Sequence, residues 1–478
     1  MRGAVVSLFV AFGLLASAGS AAAALVVSVG RNAVARVQPG FLGLSFELRG
    51  IESYTGFAPR AINPAFEQLV RNLDPGQRPV LRIGGDTGDW SWYPIPHMQR
   101  PLGVRYALTP TWFKVVSSLA QATDARLIVG LNLEVDSARV AAAEARAMIS
   151  QIGPRWLEAL QLGNEPELYN LLAWYEQHGV RYYGRGSGWG VPQYLSVFAA
   201  IARALPNFPL AGPEVGRPPW DDEFGQFLSQ EPRVRIATLH RYSLPCVPVS
   251  AASVSGLLAA GAAGGFTNGL IPALRAAHAH GIPIRIDEMG PFPCNSEHGS
   301  GHTFAAALWE LEAAFEAAKA GFDGINIHTR DGVSTEPFTF TRTGGVWRGH
   351  VSPDYYGLLA FAQAVPRGSQ LLSVSGAGGP VRAWAARAPD GVTRVVLINF
   401  ARRVGQVVAV KAPGARGAAA LVRLTAPSAA ATGGVTLGRQ SFGASTTTGR
   451  LAGRPKTTQV PLAHVWMPAA SAAILTLR

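Results

Sequence analysis

Two glutamates stand at the ends of short apolar runs, where a strand is expected to give way to a loop. The first, Glu165, lies in Asn164-Glu165-Pro166, and the second, Glu288, follows a run that begins at Pro283. Pro166 cannot donate to a sheet ladder and pushes the residue before it toward extended geometry, so Glu165 is predicted at a strand end. The two glutamates are 123 residues apart. That spacing accommodates about three β/α units, so both could belong to one parallel sheet.

Two carboxyl groups at the same mouth of a barrel could hydrolyse a glycosidic bond. One protonates the leaving oxygen and the other captures the oxocarbenium-like centre, and a separation of about 5–5.5 Å leads to retention through a covalent glycosyl–enzyme. Because the strand ends of a parallel barrel meet at one mouth, Glu165 fits the acid/base and Glu288 the nucleophile. Asn164 would then lie beside the acid/base, where it can hold a sugar hydroxyl. An isolated Asn-Glu-Pro is equally consistent with a solvated glutamate at a surface strand end, because short motifs occur by chance.

Strands alternate with helical patterns over residues 40–365, which predicts an α/β fold built as a (β/α)8 barrel. The eight predicted strands are residues 40–47, 79–84, 126–132, 160–164, 209–212, 235–240, 283–287 and 323–328. Helices are predicted over residues 137–152, with Asp136 as a possible cap, and over residues 303–320 and 355–365. Their apolar stripes are predicted to pack in the core rather than to bind a cofactor.

The two ends of the chain differ from the barrel. Residues 1–24 are predicted to be a secretory signal peptide, because Arg2 precedes an apolar segment and a run of alanines that offers cleavage sites. An uncleaved membrane anchor is the alternative, but the apolar segment is short for a span. After residue 365, short strands and a Pro389-Asp390-Gly391 turn replace the helices, which predicts a C-terminal β-sandwich over residues 366–478. Residues 25–39 are predicted to add strands to that sandwich.

Charge and cysteine content narrow the function classes. The formal net charge is +12, and 38 of the 42 basic residues are arginines, which favours anionic substrates, although a GC-rich genome would give the same composition. No Lys/Arg run is dense enough to predict nucleic-acid binding.

Cys246 and Cys294 are predicted to form a disulfide in an exported chain, with two free thiols as the alternative. No metal site is predicted. The mature protein is expected to be a secreted or periplasmic monomer that is not bound to the membrane once the signal peptide has been removed.

The motifs together resemble those of the clan A glycosidases, retaining barrels with the acid/base on strand four and the nucleophile on strand seven. Within that clan the chain resembles glycoside hydrolase family 79, the β-glucuronidase and heparanase group. The matching stretches run through the whole barrel and are residues 41–47, 81–86, 162–167, 240–242, 286–290 and 355–361. Asn-Glu-Pro identifies only the clan, whereas FLGLSFE at 41–47 and LRIGG within 81–86 are more typical of the family.

The resemblance implies removal of a β-linked uronic acid, mostly glucuronic acid, from the non-reducing end of a glycan or small glucuronide, with neither a metal nor an organic cofactor. By position, Glu165 would be the acid/base and Glu288 the nucleophile. The implied substrate-binding residues are Asn164 at the sugar 2-hydroxyl, Tyr242 at the nucleophile, and Glu47, Asp86, His240 and Arg330. Tyr242 as a buried aromatic and Glu47 as the plain end of strand one are the alternatives. Asp86 stands where relatives often carry Asn.

Relatives hold the sugar carboxylate with loop tyrosines and backbone amides, and this chain departs from the tyrosine part of that pattern. Its loops at residues 290–294 and 329–341 contain no tyrosine. Arg330 or Arg241 would pair with the carboxylate instead, because a guanidinium suits a carboxylate, although either residue could equally be a surface arginine.

Aromatic residues near the predicted mouth suggest further sugar contacts. Asp89, Trp90 and Trp92 could form a sugar platform or simply pack a loop, and the aromatic loop 168–190 is predicted to wall the aglycone side. Three other functions stay open: a clan A β-glycosidase for a neutral sugar, a heparanase-like endo-β-glucuronidase, and a sugar-binding barrel without catalysis.

Overall fold

Eight parallel strands close into a barrel, which confirms the predicted fold class. The structure is a computed structural model and describes residues 25–217, 220–245, 247–293, 299–333 and 335–477. Barrel strands one to eight are Leu42–Glu47, Val80–Gly84, Arg126–Leu131, Leu157–Leu162, Leu210–Val215, Val234–Tyr242, Ile284–Gly290 and Gly324–Thr329. Neighbours in the barrel follow the order of the chain, and the strands are mostly buried because helices cover the outside and side chains fill the inside. Strand five runs on to Val215, three residues beyond the prediction.

The α-helices of the described residues are Ile51–Thr55, Pro64–Leu73, Asp86–Asp89, Pro110–Thr123, Ala138–Ala147, Val191–Ala204, Phe224–Gln230, Val254–Leu257, Ile271–Ala279, Phe304–Ala320 and Pro353–Ala364. Ser137, not Asp136, caps the fifth helix, since its side chain accepts from the Val140 N–H. That helix changes to a π-helical turn over Met148–Ile152. Shorter 3-10 turns are Pro166–Leu168, Trp220–Glu223, Val249–Ala251, Asn268–Leu270 and Ser300–His302.

A second sheet flanks the barrel. Its ten strands are Leu25–Arg36, Gln370–Ser375, Val381–Arg387, Thr393–Asn399, Gln406–Lys411, Ala418–Thr425, Thr436–Leu437, Thr458–Pro461, Val465–Met467 and Ser471–Leu477. The Leu462 N–H donates to the Gly417 carbonyl at 2.9 Å, and the Leu462 carbonyl accepts from the Val410 N–H at 2.7 Å, which links the two ends of the sheet. Val408 and Leu421, from opposite ends, belong to one hydrophobic cluster, so the sheet curls around its own core.

The first strand of the chain completes this sheet. Leu25–Arg36 runs antiparallel to Gln370–Ser375 and parallel to Gln406–Lys411. Three two-stranded pairs lie outside both sheets and are Ser91–Trp92 with Tyr106–Ala107, Ala173–Gln177 with Val180–Tyr183, and Phe338–Thr343 with Val346–Val351.

The helix Phe304–Ala320 lies between barrel and sheet and is buried over most of its surface. Trp384 of the sheet stacks on Phe315 with ring centroids 5.2 Å apart. Its indole N–H donates to Glu312 at 2.7 Å, and Arg382 lies 3.7 Å from the other oxygen of that carboxylate. These contacts fasten the sheet to the barrel wall behind strand seven.

Some predictions fall outside the described residues. The proposed signal peptide, residues 1–24, and both cysteines of the predicted pair, Cys246 and Cys294, belong to this group. Among the residues that are described, no helix combines the length and the apolar character needed to cross a membrane.

Candidate active site

The two glutamates predicted to be catalytic face each other across the barrel mouth. Glu165 directly follows barrel strand four, and Glu288 lies within barrel strand seven. A carboxylate oxygen of one lies within 4.8 Å of a carboxylate oxygen of the other. The Glu165 side chain is 21% exposed and that of Glu288 is 8% exposed. The two carboxyl groups are therefore close enough to act on one glycosidic bond, and that of Glu288 lies deeper than that of Glu165.

The backbone at Glu165 differs from the prediction of extended geometry. Its φ and ψ are 43° and 56°, in the left-handed region that non-glycine residues seldom adopt. The Glu165 N–H donates to the Glu214 carbonyl at 3.0 Å, and the Glu165 carbonyl accepts from the Leu168 N–H at 2.8 Å. These bonds and the 3-10 turn Pro166–Leu168 turn the chain sharply and aim the carboxylate into the mouth.

Glu288 is surrounded by hydrogen-bond donors. Tyr242 donates its hydroxyl hydrogen to Oε1 at 2.7 Å, Arg82 donates to Oε2, and the His328 Nδ1 lies 3.5 Å from Oε2. Burial opposes ionisation of Glu288, but His328, His240 and Arg82 outweigh it and hold its pKa far below the usual range. Burial also lowers the pKa of His328, so Arg82 supplies a charge that persists at neutral pH. Glu288 is therefore ionised, as a nucleophile must be.

Arg82 links the two catalytic loops. Its guanidinium is fully buried and donates to Asn164 Oδ1 at 2.6 Å, to Gln161 at 3.0 Å and to Ser45 at 3.1 Å, besides Glu288. Burial alone would lower the pKa of Arg82, but Glu288 and Glu214 raise it above its usual value. Sequence reasoning did not assign this residue a role, although a charged residue inside an apolar strand is a signal that could have found it, since buried charges are paired.

Asn164 is held beside the acid/base by two aspartates. Its side-chain amide donates to Asp86 Oδ1 at 3.1 Å, and its backbone N–H donates to Asp89 Oδ2 at 3.0 Å. Asp86 itself is exposed in the mouth, where it can reach a sugar.

Asp89 and Trp92 do not form a sugar platform. Asp89 is 3% exposed and accepts from the N–H groups of Leu133 and Glu134 and from the Tyr169 hydroxyl at 2.7 Å, so it ties three loops together. Trp92 is 5% exposed and packs in a hydrophobic cluster. Hydrogen bonds therefore occupy Asp89, at the end of the short helix Asp86–Asp89, and hydrophobic packing buries Trp92 in the following strand Ser91–Trp92.

His240 lies behind the catalytic pair, which corrects its assignment to the substrate-binding group. It is fully buried, with Nδ1 3.2 Å from a Glu165 oxygen and Nε2 3.2 Å from a Glu214 oxygen. Burial would lower the pKa of His240, but the charge of Glu288 and the bonds to Glu165 and Glu214 raise it well above its usual value. His240 therefore positions Glu165 as a charged partner and cannot itself reach a sugar.

The cavity that contains both glutamates has a mixed lining. Its residues are Glu47, Asp86, Glu165, Tyr242, Glu288, Phe292, Pro293, His328, Arg330, Val333 and Thr335. The Glu47 carboxylate accepts from the backbone and hydroxyl of Thr87 at 2.9 and 2.6 Å. A Cβ at Gly85 would lie 2.6 Å from the Glu47 carboxyl, so this approach depends on glycine. Glu47 is thus a fixed member of the lining rather than a plain strand end.

The two arginines predicted to pair with the sugar carboxylate differ in their position relative to the cavity. Arg330 lines the cavity, and within the described part of the chain its guanidinium makes neither a hydrogen bond nor an ion pair. Arg241 instead donates to the Phe266 carbonyl at 3.2 Å and is not among the lining residues.

Among the residues that the structure describes, two sets of ligand-type side chains are close enough to be considered for a metal, Glu165–His240–Glu288 and Glu214–His240–Asp287. Arg82 donates to Glu288 and lies 3.4 Å from Glu214, so a guanidinium already neutralises both sets.

Comparison with known proteins adds to this geometry. No family model matches the sequence. A β-glucuronidase of Neurospora crassa is 23% identical over 435 residues, which cover 79% of this chain and 75% of that protein. A 4-O-α-L-rhamnosyl-β-D-glucuronidase from Fusarium oxysporum 12S superposes with a TM-score of 0.74 at 19% identity, over 95% of this chain and 100% of that one. A family 51 α-L-arabinofuranosidase from Bifidobacterium longum superposes with a TM-score of 0.65 at 13% identity, over 95% and 99%.

A closed barrel with facing glutamates, together with these similarities, defines the class: the chain is an O-glycosyl hydrolase on a (β/α)8 barrel. Within that class the resemblance to glycoside hydrolase family 79, predicted from the sequence, is confirmed.

Proposed function

We propose that this enzyme is a retaining, exo-acting β-glucuronidase that removes a terminal β-linked glucuronic acid. The carrying observation is Arg330, whose unpaired guanidinium lines the cavity that holds Glu165 and Glu288. An unpaired cation beside the reacting centre favours an anionic sugar, and a guanidinium binds a carboxylate through two parallel hydrogen bonds. The Neurospora crassa β-glucuronidase supports the same substrate class.

The mechanism follows from the two carboxyl groups. Glu165 donates its proton to the leaving oxygen while the Glu288 carboxylate attacks the anomeric carbon, which breaks the glycosidic bond and forms a glycosyl ester. The Glu165 carboxylate then takes a proton from water, and the resulting hydroxyl displaces Glu288 from the sugar. Tyr242 and Arg82 hold Glu288 through its two oxygens, and Asn164 is placed to bind the 2-hydroxyl.

Exo action is proposed from the cavity walls. The loops after barrel strands seven and eight contribute Phe292, Pro293 and Val333 to the lining. Phe292 is 1% exposed and Val333 is 8% exposed, and these apolar side chains support a cavity that is bounded on this side and accepts one terminal sugar.

The test compares hydrolysis of 4-nitrophenyl β-D-glucuronide, β-D-glucoside and β-D-xyloside. We expect a preference for the glucuronide that Arg330→Met removes, because a hydrogen-bonded charge pair contributes about 1.5–3 kcal/mol, or roughly 10- to 150-fold in kcat/KM. Arg241→Met is the matched control and should keep the preference. Glu288→Gln should abolish turnover, and the first anomer observed by proton NMR should be β.

Turnover of a neutral glycoside in place of the glucuronide would agree with the glycosyl hydrolase class but contradict glucuronic acid as the substrate. An α anomer formed first would contradict retention.

A further inference from the structure

The flanking sheet has a cavity of its own. Its volume is about 490 Å³, and among the described residues it shares none of its lining with the cavity that contains Glu165 and Glu288. Ligand pockets in proteins have volumes of roughly 300–1,000 Å³. The cavity of the flanking sheet is therefore large enough to hold a small molecule or part of a longer chain.

The floor of this cavity is the hydrophobic core of the curled sheet. Val29, Leu372 and Leu477 line the cavity, and all three belong to the cluster around which the sheet curls. They come from three different strands, so the cavity is an opening into that core at one end of the sheet. The mouth of a curled sheet is a common place for a ligand, and these side chains present C–H groups to it.

Two turns form the rim of the cavity. In the turn after Val381–Arg387, the Val392 N–H donates to Asp390 Oδ1 at 3.0 Å. In the turn after Gln406–Lys411, the Ala415 N–H donates to a carbonyl three residues earlier at 3.2 Å. These bonds hold the rim in shape. The second oxygen of Asp390 accepts no hydrogen bond from the described residues, so it is available to a hydroxyl group.

A bulge in the first strand carries an arginine to the same cavity. The antiparallel ladder of that strand shifts in register between Val29 and Ala33, and Arg31 lies within the shifted segment. A Cβ at Gly30 would lie 2.1 Å from Ser373 Oγ, so the glycine leaves room for this close approach. Bulges re-aim side chains, and Arg31 lines the cavity.

Arg31 and Arg387 give the cavity positive charge. Within the described part of the chain, the Arg31 guanidinium forms neither a hydrogen bond nor an ion pair. The Arg387 guanidinium donates to Gln370 at 3.3 Å and forms no ion pair with a described residue. A guanidinium binds a carboxylate through two parallel hydrogen bonds. Because Asp390 offsets one of the two cations, a ligand with a single negative charge leaves the cavity neutral.

These features specify the chemistry of the ligand. It offers a carboxylate to the two arginines, hydroxyl groups to Asp390, and a C–H face to the apolar floor. A uronic acid residue carries all three on one ring. A fatty carboxylate carries the charge and the C–H groups without the hydroxyl groups.

We propose that the cavity of the flanking sheet is a second, non-catalytic binding site for glucuronic acid, lined by Arg31 and Arg387. The proposal rests on the proposed glucuronidase function, because a glycan that bears glucuronic acid is the ligand that the two sites would share. Binding at the sheet would hold such a glycan on the enzyme between cleavage events.

The experiment measures binding to the full chain that carries Glu288→Gln and Arg330→Met. The first change prevents hydrolysis and the second weakens binding at the catalytic cavity, so the sheet site dominates the signal. The ligands are methyl β-D-glucuronide, methyl β-D-glucoside and decanoate, titrated by calorimetry. We expect the glucuronide to bind more tightly than the other two. Adding Arg31→Met or Arg387→Met should weaken that binding by about tenfold.

Arg403→Met is the matched control. Arg403 is exposed and follows the end of the strand Thr393–Asn399, whereas the cavity adjoins the start of that strand at Thr393. This variant removes the same charge and should leave the binding of the glucuronide unchanged. In the otherwise wild-type enzyme, Arg31→Met should not change kcat/KM on 4-nitrophenyl β-D-glucuronide, because Arg31 lies outside the catalytic cavity. Circular dichroism checks the folding of each variant.

Glucuronide binding that survives both Arg31→Met and Arg387→Met, or no binding to the starting chain, would overturn the sheet site. Tighter binding of decanoate than of the glucuronide would overturn glucuronic acid as its ligand. Each of these results leaves the glucuronidase function in place if wild type hydrolyses 4-nitrophenyl β-D-glucuronide. Absence of that hydrolysis would instead refute the proposed function, whatever the sheet binds.

Discussion

Tyr242→Phe tests how Glu288 is held, because it removes one hydroxyl and little else. That hydroxyl donates to Glu288 Oε1 at 2.7 Å. A hydrogen bond to a charged group contributes about 1.5–3 kcal/mol, and about 1.4 kcal/mol corresponds to tenfold in rate. We therefore expect kcat/KM on a glucuronide to fall by roughly 10- to 150-fold.

The pH dependence of the loss separates positioning from protonation. The Tyr242 bond lowers the pKa of Glu288, but so do His328, His240 and Arg82, which remain in the variant. Glu288 should therefore stay ionised at neutral pH, and the loss of kcat/KM should be the same at pH 7 and pH 8.

The matched control is Tyr194→Phe, which removes a buried hydroxyl bonded to the Pro213 carbonyl at 3.0 Å. It should lower the free energy of unfolding by about 1 kcal/mol and leave kcat/KM unchanged. Steady-state kinetics from pH 4 to 9, with circular dichroism to check folding, make the comparison. A folded Tyr242→Phe that keeps kcat/KM within threefold of wild type would refute the reasoning.

Three further outcomes are expected. Arg82→Met should destabilise the fold by about 3–5 kcal/mol in urea unfolding, because it leaves buried carboxylates without their cation; an unchanged midpoint would contradict this. Burial raises the pKa of Asp354 to about 8 from an unfolded value near 4, so the folded state holds this proton more tightly and stability is lost as pH rises. Relative to Asp354→Asn, the free energy of unfolding of wild type should fall by about 4 kcal/mol between pH 5 and pH 8. If the two proteins gave parallel curves of unfolding free energy against pH, this prediction would be wrong. Asp89→Ala should lower kcat without changing the anomer formed, because it frees the Asn164 backbone and the Tyr169 hydroxyl. Kinetics identical to those of wild type would show that Asn164 keeps its position without Asp89.

Much of the fold follows from local pattern. The run ending at Asn164 and the run ending at Asp287 are apolar because both faces of a parallel strand are buried, so their order and their shared mouth could be predicted. Their bounds were less exact: strand four begins at Leu157 rather than 160, and strand eight ends at Thr329 rather than 328.

The site was predictable only in part, because its connections are not local. Glu165 and Glu288 were identifiable as the residues that end these runs, whereas Arg82 joins residues up to 206 positions away. The same holds for Glu214, whose oxygen reaches His240 across neighbouring strands. The left-handed backbone at Glu165 is set by a bond to the next strand, which outweighs the preference that Pro166 imposes.

The strand Leu25–Arg36 has a consequence for how the protein is made. Its partners lie more than 330 residues later in the chain, at Gln370–Ser375 and Gln406–Lys411. During synthesis this strand has no edge to pair with until more than 330 further residues have been translated. The barrel can assemble from neighbours in sequence, but the flanking sheet has to close a very long loop, which slows its formation. Until its partners are made, Leu25–Arg36 is an unpaired strand, and the sheet is expected to become protease-resistant later than the barrel.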